Sequence, residues 1–226
     1  NYDAAAIAAT YGSVSAVTFI TASQFLDLNQ ISYGGHMAAA MAVMESPAII
    51  LAVFLANAAK SNKKGSSLNL LHKSFTDGAQ LLLIGAMIVG LFAGSTGERI
   101  MAPFSIDLFK GMLAFFLLDM GLMVAKNFKQ VLNKPIYVLV YGIFAPPVHA
   151  LLALIICKIA GVGLGETILL MVLSASASYI AVPAALKYAL PQANPSLYFG
   201  MSLGLTFPIN IIIGIPLYTF IAKLFF

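Results

Sequence analysis

Residues Glu166 to Leu190 read ETILLMVLSASASYIAVPAALKYAL. About twenty consecutive apolar residues are what a helix needs to cross a hydrocarbon core, and this run is of that length. Its polar content is hydroxyls near the middle, Ser174, Ser176 and Ser178, with Lys187 close enough to the end to snorkel. Sparse period-2 patterning excludes an outer-membrane barrel, whose strands alternate over about ten residues.

The rest of the chain has the same character. Of its 226 residues, 61% are apolar and 9% charged, and there is no Trp. A soluble domain carries roughly 25% charged residues, so this chain has too few solvated groups to cover a surface in water. Its solvent is mostly lipid. Six further apolar runs join the first, giving seven: Ala4 to Leu26, Tyr33 to Ala59, Ala79 to Gly94, Pro103 to Ala125, Ile136 to Ala160, Glu166 to Leu190 and Leu197 to Phe226. Asp27-Leu28-Asn29, Ser95-Thr96-Gly97, Asn133-Lys134-Pro135 and Pro191-Gln192-Ala193-Asn194-Pro195 punctuate them.

The net charge of +4 is a topology signal and not a nucleic-acid surface. Lysines cluster in the second connection (Lys60, Lys63, Lys64, Lys73) and the fourth (Lys126, Lys129, Lys134). Two spans apart, these share a side, and the positive-inside rule places 60–78 and 126–135 in the cytoplasm. Glu98, Arg99, Glu166 and the C-terminus then lie outside the plasma (inner) membrane. The lone Cys157 has no intrachain partner and reads as a small buried hydrophobe.

Two pairs of runs share a pattern. Ser13-Val14-Ser15 is followed, thirty-two residues after Ser15, by Pro47, with Glu45-Ser46 before it. Ser174-Ala175-Ser176 is followed, thirty-two residues after Ser176, by Pro208, with Thr206-Phe207 before it. Three spans separate the copies, so they lie upside down relative to each other. Inverted repeats with interrupted helices point to a transporter binding site. The expected organisation is an all-α membrane protein in which 1–59 forms the last two helices of one repeat. Residues 60–78 then form a linker, and 79–226 a complete second repeat of five helices. Three further N-terminal spans, on the order of 80–100 residues, would complete the first repeat.

If the Ser-x-Ser segments unwind, each leaves a half-helix N-terminus whose N–H groups and dipole suit a small anion. Ser13, Ser15, Thr18, Ser174, Ser176 and Ser178 are the candidate substrate-binding residues. Glu45, Ser46, Thr206 and Asn210, near carbonyls freed by Pro47 and Pro208, are the candidate sodium ligands. Taken singly, each Ser or Thr is as well explained by close helix packing. An acid within a span is costly, roughly 2.5–3.5 kcal/mol on insertion scales. Glu45 is therefore a sodium ligand, a proton carrier, or a neutral acid bonded to a neighbouring helix. Asp119 and Lys110 are nine residues apart and form no simple pair; Asp119 reads as structural or near the cytoplasmic mouth. His149, after Pro146-Pro147, reads as bonded to its helix at a kink, and His36 and His72 as interfacial. No Gly-x-Ser-x-Gly, metal spacing or phosphate loop is present, so neither an enzyme nor an organic cofactor is expected.

Several stretches resemble the cyanobacterial-type sodium-dependent bicarbonate transporters. They are Phe116-Leu117-Leu118-Asp119-Met120-Gly121-Leu122, Ala145-Pro146-Pro147-Val148-His149-Ala150, and Pro191-Gln192-Ala193-Asn194-Pro195-Ser196 with Tyr198-Phe199-Gly200. Tyr11-Gly12-Ser13-Val14-Ser15 and Met44-Glu45-Ser46-Pro47-Ala48 fit its first half. The resemblance implies ten helices in two inverted repeats that cross where core helices unwind. It also implies sodium symport of bicarbonate, homotrimers and a small PII-like cytoplasmic regulator. The chain departs from it at Ser176-Ala177-Ser178-Tyr179, aligned with Ser-Ser-Ser-Asp, and at Glu45, aligned with Asp. The connection from Lys60 to Gly78 is short for a regulator site. Beside bicarbonate symport stand two other readings: a sodium symporter of organic carboxylates on a bile-acid-symporter-like fold, and a non-transporting membrane sensor or binding subunit.

Overall fold

The computed structural model describes residues 2–45, 78–132, 135–183, 186 and 190–226. Ser46, Pro47, His72, Lys134, Lys187 and the lysines of the 60–77 connection lie outside them. Every regular element among the described residues is a helix. Four helical stretches, Tyr2–Leu28, Gly85–Lys126, Ile136–Ile159 and Pro195–Phe225, are long and apolar enough to cross a membrane, and Leu164–Ala175 is a shorter apolar helix.

The first run is broken in two. Helix α1 (Tyr2–Gly12) stops before Ser13, and α2 (Ala16–Leu28) restarts with Ser15 as its N-cap. Asn29, Gln30 and Ile31 close α2 in a Schellman turn: Ile31 N–H bonds Leu26 O at 3.0 Å and Gln30 N–H bonds Asp27 O at 3.1 Å. Gln30 takes the left-handed φ of 56° that this turn demands. A further helix covers 36–45.

The sequence ends the third run at Gly94, and the helix breaks there: in α3 (Gly78–Ala102) two helical segments meet at a sharp kink at Gly94, whose φ of 54° and ψ of −152° suit a residue without Cβ. The helical path continues through a π-helical turn, Pro103–Leu108, into α4 (Phe109–Leu132). The fourth run is thus helical from just after Gly94, ahead of Pro103 where the sequence began it.

Helix α5 (Ile136–Ile159) stays helical through Pro146 and Pro147. It ends in a second Schellman turn, with Gly161 at φ 68° and Val162 N–H on Cys157 O at 3.0 Å. Helix α6 (Leu164–Ala175) then runs for 12 residues, roughly 18 Å at 1.5 Å per residue. That is little more than half of a hydrocarbon core about 30 Å thick. The chain leaves the helix at Ser176-Ala177-Ser178 and resumes it at 181–183.

The last helix, α7 (Pro195–Phe225), begins where Asn194 caps it and Pro195 fills its first turn. Two π-helical turns, Ser202–Thr206 and Asn210–Gly214, flank Pro208. Helix α6 is buried on most of its circumference: Ile168, Leu169, Met171, Val172 and Leu173 have no exposed surface. They pack on Ala150 and Leu154 of α5, Phe19, Ala22 and Leu26 of α2, and Ile215 and Tyr218 of α7. On α3 and α4, Leu91, Phe92 and Phe115 are exposed, as a face turned to lipid or another subunit would be.

Two contacts fix which ends lie together. Gly34 N–H donates to Glu166 Oε1 at 2.8 Å, joining the end of α2 to the start of α6. Asn194 N–H donates to Asp3 Oδ1 at 2.7 Å, joining the start of α1 to the turn before α7. The first and sixth runs are therefore antiparallel.

Candidate functional site

Interrupting a helix inside lipid frees amides and carbonyls that water cannot satisfy. The breaks after α1 and α6 satisfy much of this demand on each other. Ser15 N–H donates to Ser176 Oγ at 2.9 Å. Ser178 N–H donates to Thr10 O at 2.9 Å, a carbonyl freed because α1 ends two residues later. Ser176 Oγ in turn donates to Leu173 O at 2.7 Å. Serine hydroxyls serve both resuming helices: Ser15, the N-cap of α2, accepts from Thr18 N–H at 3.2 Å, and Ser178 Oγ accepts from Val182 N–H, in the first turn after the second break, at 3.2 Å. Thr18 Oγ1 adds a bond to Ser15 Oγ at 2.9 Å. Ser13, Ser15, Thr18, Ser176 and Ser178 are all buried, so the crossing is a buried, internally bonded joint.

The register of the second break differs from the equal-spacing pattern. Ser174, paired by spacing with Ser13, is still inside α6, and the residues leaving the helix are Ser176 to Ser178. By helix ends, Ser15 corresponds to Ser178 and not to Ser176. The reason is local redundancy: Ser174-Ala175-Ser176-Ala177-Ser178 offers a hydroxyl every second residue, and tertiary partners choose among them.

Ser174 has a different position. With Gly12, Ser13, Val14 and His149 it lines a cavity of about 400 Å³ beside the first break. Ser13 Oγ donates to the Glu45 carbonyl at 3.0 Å, bringing the helix over 36–45 to the same place. The structure thus gathers Ser13, Ser174 and Glu45 near the cavity, and Ser15, Thr18, Ser176 and Ser178 at the crossing. His149, which sequence placed in a helix-bonding role, faces the cavity.

Thr206 and Asn210 do not line that cavity; both are buried and bonded to protein. Pro146 has no N–H to give Gly142 O, its partner four residues back, and Thr206 Oγ1 donates to that carbonyl instead at 2.9 Å. Tyr11 Oη lies 2.6 Å from Thr206 Oγ1 and supplies the other bond. Asn210 Nδ2 donates to Ala175 O, the last carbonyl of α6, at 2.7 Å, and Tyr218 Oη donates to Asn210 Oδ1 at 3.1 Å. Tyr11, Gly142 and Tyr218 were not legible as site residues: their roles depend on partners in other helices. Pro146 was the available signal, because a proline inside a helix always leaves one carbonyl to be satisfied.

The sequence model of one protein family, described as the Na+-dependent bicarbonate transporter superfamily, matches residues 1–223. No curated protein matched the chain.

Proposed function

The chain belongs to the Na+-dependent bicarbonate transporter superfamily, and from that premise we propose that it takes part in sodium-coupled import of bicarbonate. The observation that carries this reading is the joint of two broken helices, Ser15 on Ser176 and Ser178 on Thr10, beside the hydroxyl-bearing cavity. A half-helix N-terminus offers N–H groups and a positive dipole to an anion. Ser13 and Ser174 line the cavity beside it, and hydroxyls can donate to an oxyanion without adding charge.

Sodium, as a hard cation, takes oxygen ligands. Glu45 is its leading ligand in this proposal, with Ser46, Thr206 and Asn210 as the further candidates. Thr206 and Asn210 already brace Gly142 and Ala175, so they serve sodium through any remaining lone pair or by holding the carbonyls around it. Sodium and anion bound at one joint compensate each other's charge, and motion of the joint against α4 carries both across. An inverted repeat, an inside location for 60–78 and 126–135, an outer C-terminus, a homotrimer and a PII-like regulator belong to the same proposal. The family is one of transporters, and the proposal contains no catalytic step.

The test is uptake of radiolabelled bicarbonate by the full-length protein in proteoliposomes, with and without an inward sodium gradient. Uptake that follows sodium in wild type and is lost in Glu45→Gln supports symport. Uptake of organic carboxylates in place of bicarbonate would move the substrate class, and uptake indifferent to sodium would sink the coupling.

A further inference from the structure

The cavity beside the first break, about 400 Å³, has mainly apolar walls, among them Val14, Leu152, Leu170 and Leu173. Hydroxyl and imidazole groups reach it at Tyr11, Ser13, Ser174 and His149. Two of these are committed within the protein: Tyr11 Oη lies 2.6 Å from Thr206 Oγ1, and Ser13 Oγ donates to the Glu45 carbonyl at 3.0 Å. Ser174 and His149 are not. Hydroxyls inside these helices commonly turn back on their own backbone, as Thr10 does on Ala6 O, Thr21 on Val17 O and Thr219 on Ile215 O, each at 2.8 Å. Ser174, inside α6, makes no such bond, and neither ring nitrogen of His149 has a hydrogen-bond partner among the described residues. Both side chains are half-buried. Apolar residues would complete these walls as well, so packing calls for neither polar group.

Their chemistry is complementary. A serine hydroxyl donates to an oxyanion, and a neutral imidazole has one donor and one acceptor nitrogen. With neither nitrogen committed, the tautomer follows the ligand. Bicarbonate is both an oxyanion and an acid: two oxygens share its charge, and the third carries an O–H to donate. Nitrate has nearly the same planar shape and lacks that O–H. A site built to bond a ligand's O–H rejects the analogue without it far more strongly than an apolar pocket can. We propose that His149 is a specificity-determining residue that accepts the O–H of bicarbonate while Ser174 donates to its charged oxygens. The inference rests on the bicarbonate-transport reading above and deepens it, by naming the groups that tell this anion from other planar oxyanions. The cavity is larger than the anion, which leaves room for water around it.

Two variants separate this role from packing: His149→Leu fills the wall without an acceptor, and His149→Gln keeps an acceptor oxygen. The full-length protein in proteoliposomes would be assayed for sodium-driven bicarbonate uptake with nitrate as competitor, and its anion-free Tm recorded in detergent. Expected for His149→Leu are an unchanged Tm and a bicarbonate KM raised about tenfold or more, as befits a lost hydrogen bond to a charged partner. Weak inhibition by nitrate should stay as it is in wild type, and His149→Gln should recover most of the bicarbonate affinity. An unchanged KM, nitrate inhibition weakened in step with bicarbonate, or a glutamine variant no better than the leucine one would overturn the proposal. A lower anion-free Tm in His149→Leu would show that the ring bonds within the protein and would overturn it as well. A wild type that takes up no bicarbonate would sink the transport reading, and the rise in Tm with bicarbonate over nitrate then tests the pair by itself. Absence of that preference in wild type, or its survival in His149→Leu, would overturn the pair.

Discussion

The backbone N–H of Ser15 rests on the side-chain oxygen of Ser176, 2.9 Å away, so a donor exposed by one helix break is satisfied by a residue of the other. The Ser176 hydroxyl in turn donates a hydrogen bond to Leu173 O. Ser176→Ala removes the acceptor for Ser15 and one donor to Leu173. A buried group left unsatisfied costs about 1–3 kcal/mol, so a clear drop in Tm of the purified protein is expected. An unchanged Tm would mean that the two breaks are not held together by this bond.

Asn210 ties the end of α6 to α7. Asn210→Leu strands both Ala175 O and the Tyr218 hydroxyl, at about 1–3 kcal/mol for each group left unsatisfied. Tyr218→Phe removes one of those bonds in wild type and nothing further in the Asn210→Leu background. The double-mutant cycle therefore shows a non-zero coupling, and strict additivity would contradict the shared network.

Pro146 and Thr206 form a compensating pair across two helices. Thr206→Val is expected to cost about 1–3 kcal/mol, because Gly142 O and the Tyr11 hydroxyl both lose a partner. Pro146→Ala restores an amide four residues from Gly142, so the same Thr206→Val change should cost less in that background. Chemical unfolding of the four proteins measures the difference; equal costs in both backgrounds would refute the compensation.

Gly165 sits where the start of α6 meets the chain after α2. A Cβ there would collide with the Ser32 carbonyl oxygen and approach Tyr33 Cβ to 3.0 Å. Overpacking typically costs about 1–3 kcal/mol, and a backbone obstacle cannot rotate aside, so Gly165→Ala should lie at or above the top of that range. Detergent-extracted yield and Tm report it; a Tm equal to wild type would show that the two segments separate readily.

Gln30 offers the opposite sign. It holds φ 56° in the Schellman turn that ends α2, the place where glycine sits without strain. A non-glycine residue in the left-handed region costs roughly 1–2 kcal/mol, partly offset in a glycine variant by a more flexible unfolded chain. Gln30→Gly should raise Tm modestly, and a lower Tm would show that the Gln side chain contributes more than its backbone strain removes.

Much of the architecture was legible because its causes are local. Apolar runs announce membrane helices, Pro191 to Pro195 announces a stop and a restart, and Ser15 and Asn194 are cap residues wherever a helix begins. Ser95-Thr96-Gly97 marked the break between the third and fourth runs to within one residue, and the sharp kink falls on the adjacent Gly94, where the run was expected to end. The candidate site was half legible. A Ser-x-Ser pattern marks an unwound segment, but it cannot say which hydroxyl caps, which bridges and which lines a cavity.

Sequence by itself therefore determined that this protein lives in lipid, and its Ser-x-Ser pattern marked the first and sixth runs as the ones open to interruption. These depend on composition, length and short-range hydrogen bonding. Tertiary structure decided the register of the second break and the commitment of Thr206 to Gly142 and of Asn210 to Ala175. Each of these turns on whether a buried polar group finds a partner in another helix. In a medium that supplies no hydrogen bonds of its own, that depends on which helices lie side by side.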